Sequence, residues 1–425
     1  MLSAPIVQTT TPGAARPRVR RDRPKMAIIV LFPLWLVGVI LPSVGAKENL
    51  DVQQFISFAW LPIVAACVCR SRFLIGPLLR QQGRLIGLMA LCVLTLAASS
   101  LLSVDPILSL AFVVTAGLGL ISCAGLWGPI GTAMSSCVSA YATLGSALVG
   151  YAYYVDTRVQ GRLTLGTAHP NFLGIVSFGL AVSALAVRPR ILAALLIAGN
   201  IFIIIETESR SALGAVLLAL LVFALLHAYQ VRERRGALAL IGVIFCAAIV
   251  AVLYYGTIES WFSSLFFLND RYRGLGTGFT GREGAWQEAI DLFMENPVLG
   301  VGFRMHERYM TVTPSAHNGY LSILAETGIV GSAPLLVLTA ILLWRLLREA
   351  LGGEPIAILG FSFVTGYLFI SFFERLFLNM GNPTSILVWI FLLVPRLSTS
   401  GTRSRFRGTR RASMAQAVGH VRLTA

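Results

Sequence analysis

The residue with the clearest capacity for chemistry is His317, in the stretch Pro314 to Gly331, PSAHNGYLSILAETGIVG, where polar, ionisable sequence returns to apolar sequence. A neutral imidazole accepts a proton readily near pH 7, and a helix N-terminus disfavours its charged form, so His317 has the character of a general base. Ser315 is the expected cap of a helix with His317 in its first turn and Gly328 as its stop. On one continuous helix Glu326, nine positions on, points away from His317, which removes a direct pair and gives Glu326 a structural role. His169 in GTAHPNF offers the same chemistry less clearly, and His306 in MHERYM less clearly again.

A second group is anionic-ligand chemistry. Glu206, Glu208 and Arg210 lie at the end of an apolar run, where an ionisable group facing lipid costs a few kcal/mol, so they are expected to face a polar cavity. Arginine stays charged at any relevant pH and grips phosphate with a planar fork. Arg210 is therefore read as a binding residue. Arg271, Arg273, Arg304 and Arg308, taken singly, are better explained as ion-pair partners of nearby acids or as solvated loop groups. Gly276 to Gly281 matches G-x-G-x-x-G, but no strand precedes it, so a dinucleotide site is excluded and its glycines are free to let a ligand approach beside Arg282.

The elements that must hold these residues are membrane spans. The chain has 425 residues, 56% hydrophobic and only 12% charged, with a mean hydropathy of +0.77, a balance foreign to soluble domains of this length. Runs long enough to cross a bilayer are expected at 26–44, 52–69, 85–102, 107–127, 132–154, 171–187, 191–206, 211–228, 237–256, 330–347, 356–373 and 378–395. This makes an all-α polytopic membrane protein of about twelve helices with one large outer loop carrying short helices, among them 284–294. The divisions are a basic tail at 1–25, a nine-span region at 26–256, the loop with its histidine segment at 257–329, three spans at 330–395 and a basic tail at 396–425.

Charge supports that topology. Of the formal net +15, the two tails carry 6 − 1 + 7 = +12, from Arg16, Arg18, Arg20, Arg21, Arg23 and Lys25 against Asp22, and then seven arginines after Pro395. Arg70 to Arg84, Arg188 and Arg190, Arg232 to Arg235, and Arg345 and Arg348 fall on the same side as both tails, as the positive-inside rule requires. The basic excess thus faces anionic lipid rather than nucleic acid. An N-terminal basic region followed by an apolar run resembles a signal peptide, but an uncleaved first span closes the topology. The six cysteines all lie in apolar stretches and read as small buried hydrophobes. No Walker A loop, H-E-x-x-H, C-x-x-C or G-x-S-x-G occurs, which argues against ATP hydrolysis, zinc peptidase and serine hydrolase chemistry.

Four pieces in order, ESRSALG (208–214), TGREGAW (280–286), ENPVLGVGF (295–303) and AHNGYLSILAETGIVG (316–331), resemble the O-antigen ligase and Wzy-type polymerase superfamily of bacterial envelope glycan enzymes. The resemblance implies transfer of a glycan from undecaprenyl diphosphate to an acceptor hydroxyl at the periplasmic face of the inner membrane, with both termini cytoplasmic. It implies Arg210 and Arg282 as the diphosphate grip and His317 as the base, and no metal or nucleotide cofactor. His169, Glu208 and Arg304, read from the charged outer face and not from the resemblance, are the expected secondary site residues. The acceptor is another glycan in a polymerase and lipid A core in a ligase; the AHNGYL spacing and TGREGAW lean toward the polymerases of exopolysaccharide assembly, and other polysaccharide-assembly proteins are implied partners. From a different class, a transporter or flippase of an anionic lipid-linked glycan would also use many spans and membrane charge. It should show inverted repeats or charges near the midplane, whereas these gather at one face.

Overall fold

A computed structural model describes residues 72–125, 133–166, 169–230, 282–312 and 315–393, together with 34, 36–38 and 40. The described chain is helical almost throughout: α1 (Arg72–Leu101), α2 (Pro106–Gly125), α3 (Met134–Val155), α4 (Pro170–Ser183), α5 (Arg190–Glu206), α6 (Arg210–Gln230), α7 (Arg282–Glu295), α8 (Gly319–Leu351), α9 (Pro355–Ile370) and α10 (Pro383–Leu393). One two-residue hairpin, β1 (Arg158–Val159) paired with β2 (Arg162–Leu163), interrupts them. Every expected span within the described residues overlaps a helix, with the short 3-10 turn at 184–186 extending α4, but the helices at Pro355–Ile370 and Pro383–Leu393 are shorter than the spans expected at 356–373 and 378–395. The expected spans at 52–69 and 237–256 and most of 26–44 lie outside the described residues. So do Arg271, Arg273, the glycine motif at 276–281, both basic tails, and Cys67, Cys69 and Cys246.

Four helices among the described residues are long and apolar enough to cross a membrane: Gly83–Leu101, Pro106–Ala124, Arg210–Gln230 and Gly319–Leu351. Only 28% of the first of these and 33% of the third is buried inside the molecule. Their remaining apolar surface, with Leu94, Ile107 and Trp344 exposed among others, points outward, where a membrane rather than water is the matching solvent. Cys92, Cys123 and Cys137 are buried free thiols, as their apolar sequence context leads one to expect.

The main core among the described residues is aromatic-rich, filled by Tyr141, Phe178, Phe363, Tyr367, Trp389 and Phe391. Without a hydrophobic driving force between helices in lipid, close packing depends on small residues at the crossings. Gly366 of α9 is one such notch. A Cβ there would meet the Phe178 ring and the Ala215 carbonyl oxygen within 2.8 Å, so α9 can lie against α4 and α6 together only with glycine.

The break in α8 shapes the site. Gly328 departs from helical geometry (φ 56°), kinking α8 between Gly319–Thr327 and the longer remainder. The glycine was expected to end the helix; instead the chain bends and resumes. The loop of ENPVLGVGF crosses this bend: Val301 N–H donates to the Ala325 carbonyl at 3.0 Å, Gly302 to Glu326 at 2.8 Å, Ile329 to Pro297 at 2.9 Å and Val330 to Val298 at 3.1 Å. Gly300 (φ 67°) approaches so closely that a Cβ would fall on the Glu326 and Thr327 backbone. Two motifs distant in sequence are thereby one structural unit.

Candidate functional site

The AHNGY segment shows how sequence fixes the histidine. Asn318, not Ser315, caps α8, its side-chain oxygen accepting from Tyr320 and Leu321 N–H at 3.0 and 3.1 Å. Gly319 donates to the Ser371 carbonyl at 2.7 Å; any side chain there would press on Phe377 and the Glu374 carbonyl. The Tyr320 hydroxyl reaches the Leu368 carbonyl at 3.0 Å. Together these contacts clamp the start of α8 onto the turn after α9. His317 precedes the cap in a left-handed conformation (φ 46°), so it is not in the first helical turn as its sequence context suggested.

Clamped there, His317 faces Glu374. Its Nδ1 lies 3.8 Å from Glu374 Oε2, and Arg282 Nη2 lies 3.3 Å from Oε1 of the same carboxylate. Asn171 Nδ2 donates to Oε1 at 2.7 Å, and the Asn171 oxygen accepts from Arg162 Nη2 at 2.6 Å. Arg162 is buried and its Nε donates to the Thr207 carbonyl at 2.8 Å, with Glu208 Oε2 3.9 Å away. One carboxylate therefore gathers residues from the starts of α4, α7 and α8. Arg210 heads α6 three residues after Thr207, and Arg282 heads α7. Both are at helix starts, positions that favour an anion.

The acids at 206 and 208 do have arginine partners, but those partners come from the hairpin. Arg158 donates to Glu206 at 2.8 Å and Asp156 at 2.7 Å; the Asp156 contact first, then Glu206, raises the already high Arg158 pKa. Of the secondary residues, His169 caps α4, its Nδ1 accepting from Asn171 N–H at 3.2 Å, which holds Asn171 in place. Glu208 has φ 51° beside Arg162.

Arg304 belongs to a second cluster. Its guanidinium stacks over Phe112 at 5.4 Å. Burial, reinforced by the nearby Arg375 charge, pulls its pKa down to about 10, so it remains a cation at neutral pH. In that cluster Glu326 pairs with buried His306 at 2.6 Å and with Arg375 at 3.3 Å, and Arg375 also pairs with Glu307. The side chain of Glu326 is thus paired with His306 and Arg375, not with His317, and His306 is enclosed, not a candidate base.

Glu374, Arg375, Arg162 and Asn171 are the residues sequence reasoning passed over. The signal was present for two of them: an acid and a base between apolar runs at 356–373 and 378–395 is an unusual place for charge.

Residues 191–336 match the family model described as O-antigen ligase. No curated protein matches the chain.

Proposed function

From the match of residues 191–336 to the O-antigen ligase family model, we propose that the chain belongs to the O-antigen ligase and Wzy-type polymerase superfamily and is a metal-independent glycosyltransferase. It moves a glycan from undecaprenyl diphosphate to an acceptor hydroxyl at the periplasmic face of the inner membrane. The observation that carries this reading is the convergence of His317 and Arg282 on the two oxygens of Glu374.

In the proposed step His317 Nδ1 keeps its hydrogen toward Glu374 and Nε2 takes the proton of the acceptor hydroxyl. The freed oxygen attacks the anomeric carbon, and the bond from that carbon to the diphosphate breaks, the electron pair leaving with the diphosphate. Glu374 favours the imidazolium as it forms, and Arg210 and Arg282 stabilise the departing charge. Secondary positions at Arg304, Glu208 and His169 act through the surrounding polar groups.

We further propose twelve spans with both termini cytoplasmic, a periplasmic loop over 257–329, and a polymerase rather than a ligase, on the AHNGYL and TGREGAW resemblance. Glycan analysis of a strain lacking the gene tests this. Loss of long polymer with single repeat units accumulating is the expected result; intact lipid-linked polymer beside bare lipid A core would instead make the protein a ligase. In reconstituted membranes, His317→Ala and Arg282→Ala should each abolish transfer while the protein still accumulates, and near-normal transfer in either would remove that residue from the mechanism.

A further inference from the structure

Glu326 occupies a place from which both halves of the proposed base can be held. Its Oε1 lies 2.6 Å from His306 Nδ1 and 3.3 Å from Arg375 Nη2, and its side chain is 2% exposed. Its own backbone is fixed, the carbonyl accepting from the Ser99 hydroxyl at 2.7 Å and from Gly302 N–H at 2.8 Å. Arg375 directly follows Glu374. His306, fully buried, reaches the other side: its Nε2 lies 3.4 Å from the amide nitrogen of Ala316, the residue before His317.

The partners decide the state of the His306 ring. A backbone N–H can only donate, so Nε2 accepts from Ala316, and the Ser322 hydroxyl lies 3.4 Å from the same nitrogen. The ring hydrogen is then on Nδ1, where Glu326 accepts it. The imidazole thus ties the Ala316 amide to a buried carboxylate, one residue before the left-handed backbone of His317. That conformation persists only where its surroundings enforce it. The buried ion pair of Glu326 with Arg375 adds little to stability that apolar residues could not supply, which leaves its geometry as the better reason for it.

We propose that Glu326 and His306 are positioning residues: one carboxylate sets His317 through His306 and Ala316, and sets Glu374 through Arg375. The proposal rests on the function assigned to His317 above.

The test compares His306→Asn with His306→Gln in the full chain, reconstituted with lipid-diphosphate glycan. An asparagine amide reaches the place of Nδ1 and keeps a donor for Glu326, but leaves Ala316 without an acceptor. A glutamine amide reaches the place of Nε2 and can accept from Ala316. His306→Asn should lower kcat about 10- to 100-fold with KM for the donor nearly unchanged, the scale of a small misplacement of a reacting group. His306→Gln should recover a large part of that loss. Wild-type kcat in folded His306→Asn, or equal losses in both variants, overturns the proposal. A second readout needs no activity: carbethoxylation by diethyl pyrocarbonate, followed by mass spectrometry, should modify half-exposed His317 and spare His306 in the wild type, and His306→Asn should change the His317 rate several-fold. An unchanged His317 rate overturns the proposal. Failure of the wild type to transfer glycan would instead sink the functional reading, while the carbethoxylation comparison still decides the positioning.

Discussion

Glu374 and His317 are 57 positions apart in sequence, yet Oε2 of the first lies 3.8 Å from Nδ1 of the second, while its other oxygen holds Arg282 at 3.3 Å. The carboxylate is thus shared between the proposed base and one arm of the proposed diphosphate grip. Replacing it by the isosteric amide, Glu374→Gln, keeps the shape and removes the charge that would favour imidazolium. Transfer should fall about 100-fold, the lower scale of general acid–base catalysis. Initial rates in proteoliposomes measure this, and a variant within a factor of about three of the wild type would detach Glu374 from the chemistry.

The helices were legible in the sequence because length and apolarity alone define a span, and His317 and Arg282 were legible because charge stands out at the border of apolar sequence. Glu374 was not. In the short gap between two apolar runs, Glu374 and Arg375 look like a neighbouring pair that neutralises itself. The structure sends them apart, Glu374 to His317 and Arg282, Arg375 to Glu326 and Glu307. Which way adjacent side chains diverge depends on contacts from distant elements. The cap of α8 was misjudged for a related reason: Ser315 and Asn318 are both good caps, and the clamp of Gly319 on Ser371 selects the second.

Arg162 acts at one remove, its fork joining the Thr207 carbonyl to Asn171, which in turn holds Glu374. A lysine carries the charge but has no planar fork to satisfy both partners. Arg162→Lys should therefore reduce transfer, and its effect should overlap with that of Glu374→Gln rather than add to it. A double-mutant cycle on kcat measures the overlap, expected at about 0.5–3 kcal/mol for residues in one hydrogen-bond network. Simple additivity would mean that Arg162 supports the fold by a separate route.

Gly328 and Gly199 separate strain from space. At Gly328 φ is 56° and a Cβ would strike the backbone of Val298 and Leu299, whereas at Gly199, inside α5, a Cβ meets nothing within 4 Å. Gly328→Ala should destabilise the purified protein by at least about 1–3 kcal/mol and lower its melting temperature in detergent. Gly199→Ala, relieved of the entropic weakness of glycine in a helix, should leave it unchanged or raise it slightly. A Gly328→Ala protein as stable as the wild type would show that the bend in α8 does not depend on glycine.

Glu288 on α7 joins that helix to the segment before the histidine: its carboxylate accepts from the Thr311 amide at 2.7 Å, the Thr311 hydroxyl at 2.6 Å and the Val312 amide at 3.2 Å. Burial pushes its pKa up, but these hydrogen bonds to the charged form outweigh it, and the net shift is below the ordinary value of 4.5. For a carboxyl lowered on folding, the stabilisation is fully present above the unfolded pKa and is lost as pH falls through the folded one. Amide hydrogen exchange at Thr311 and Val312, corrected for the intrinsic pH dependence of exchange, should therefore show constant protection above about pH 5 and declining protection as the pH is taken below 4.5. In Glu288→Gln the same amides should be less protected at neutral pH and should lose most of that acid dependence. Acid-independent protection in the wild type would mean that the α7 contact is held by its neighbours and not by the carboxylate.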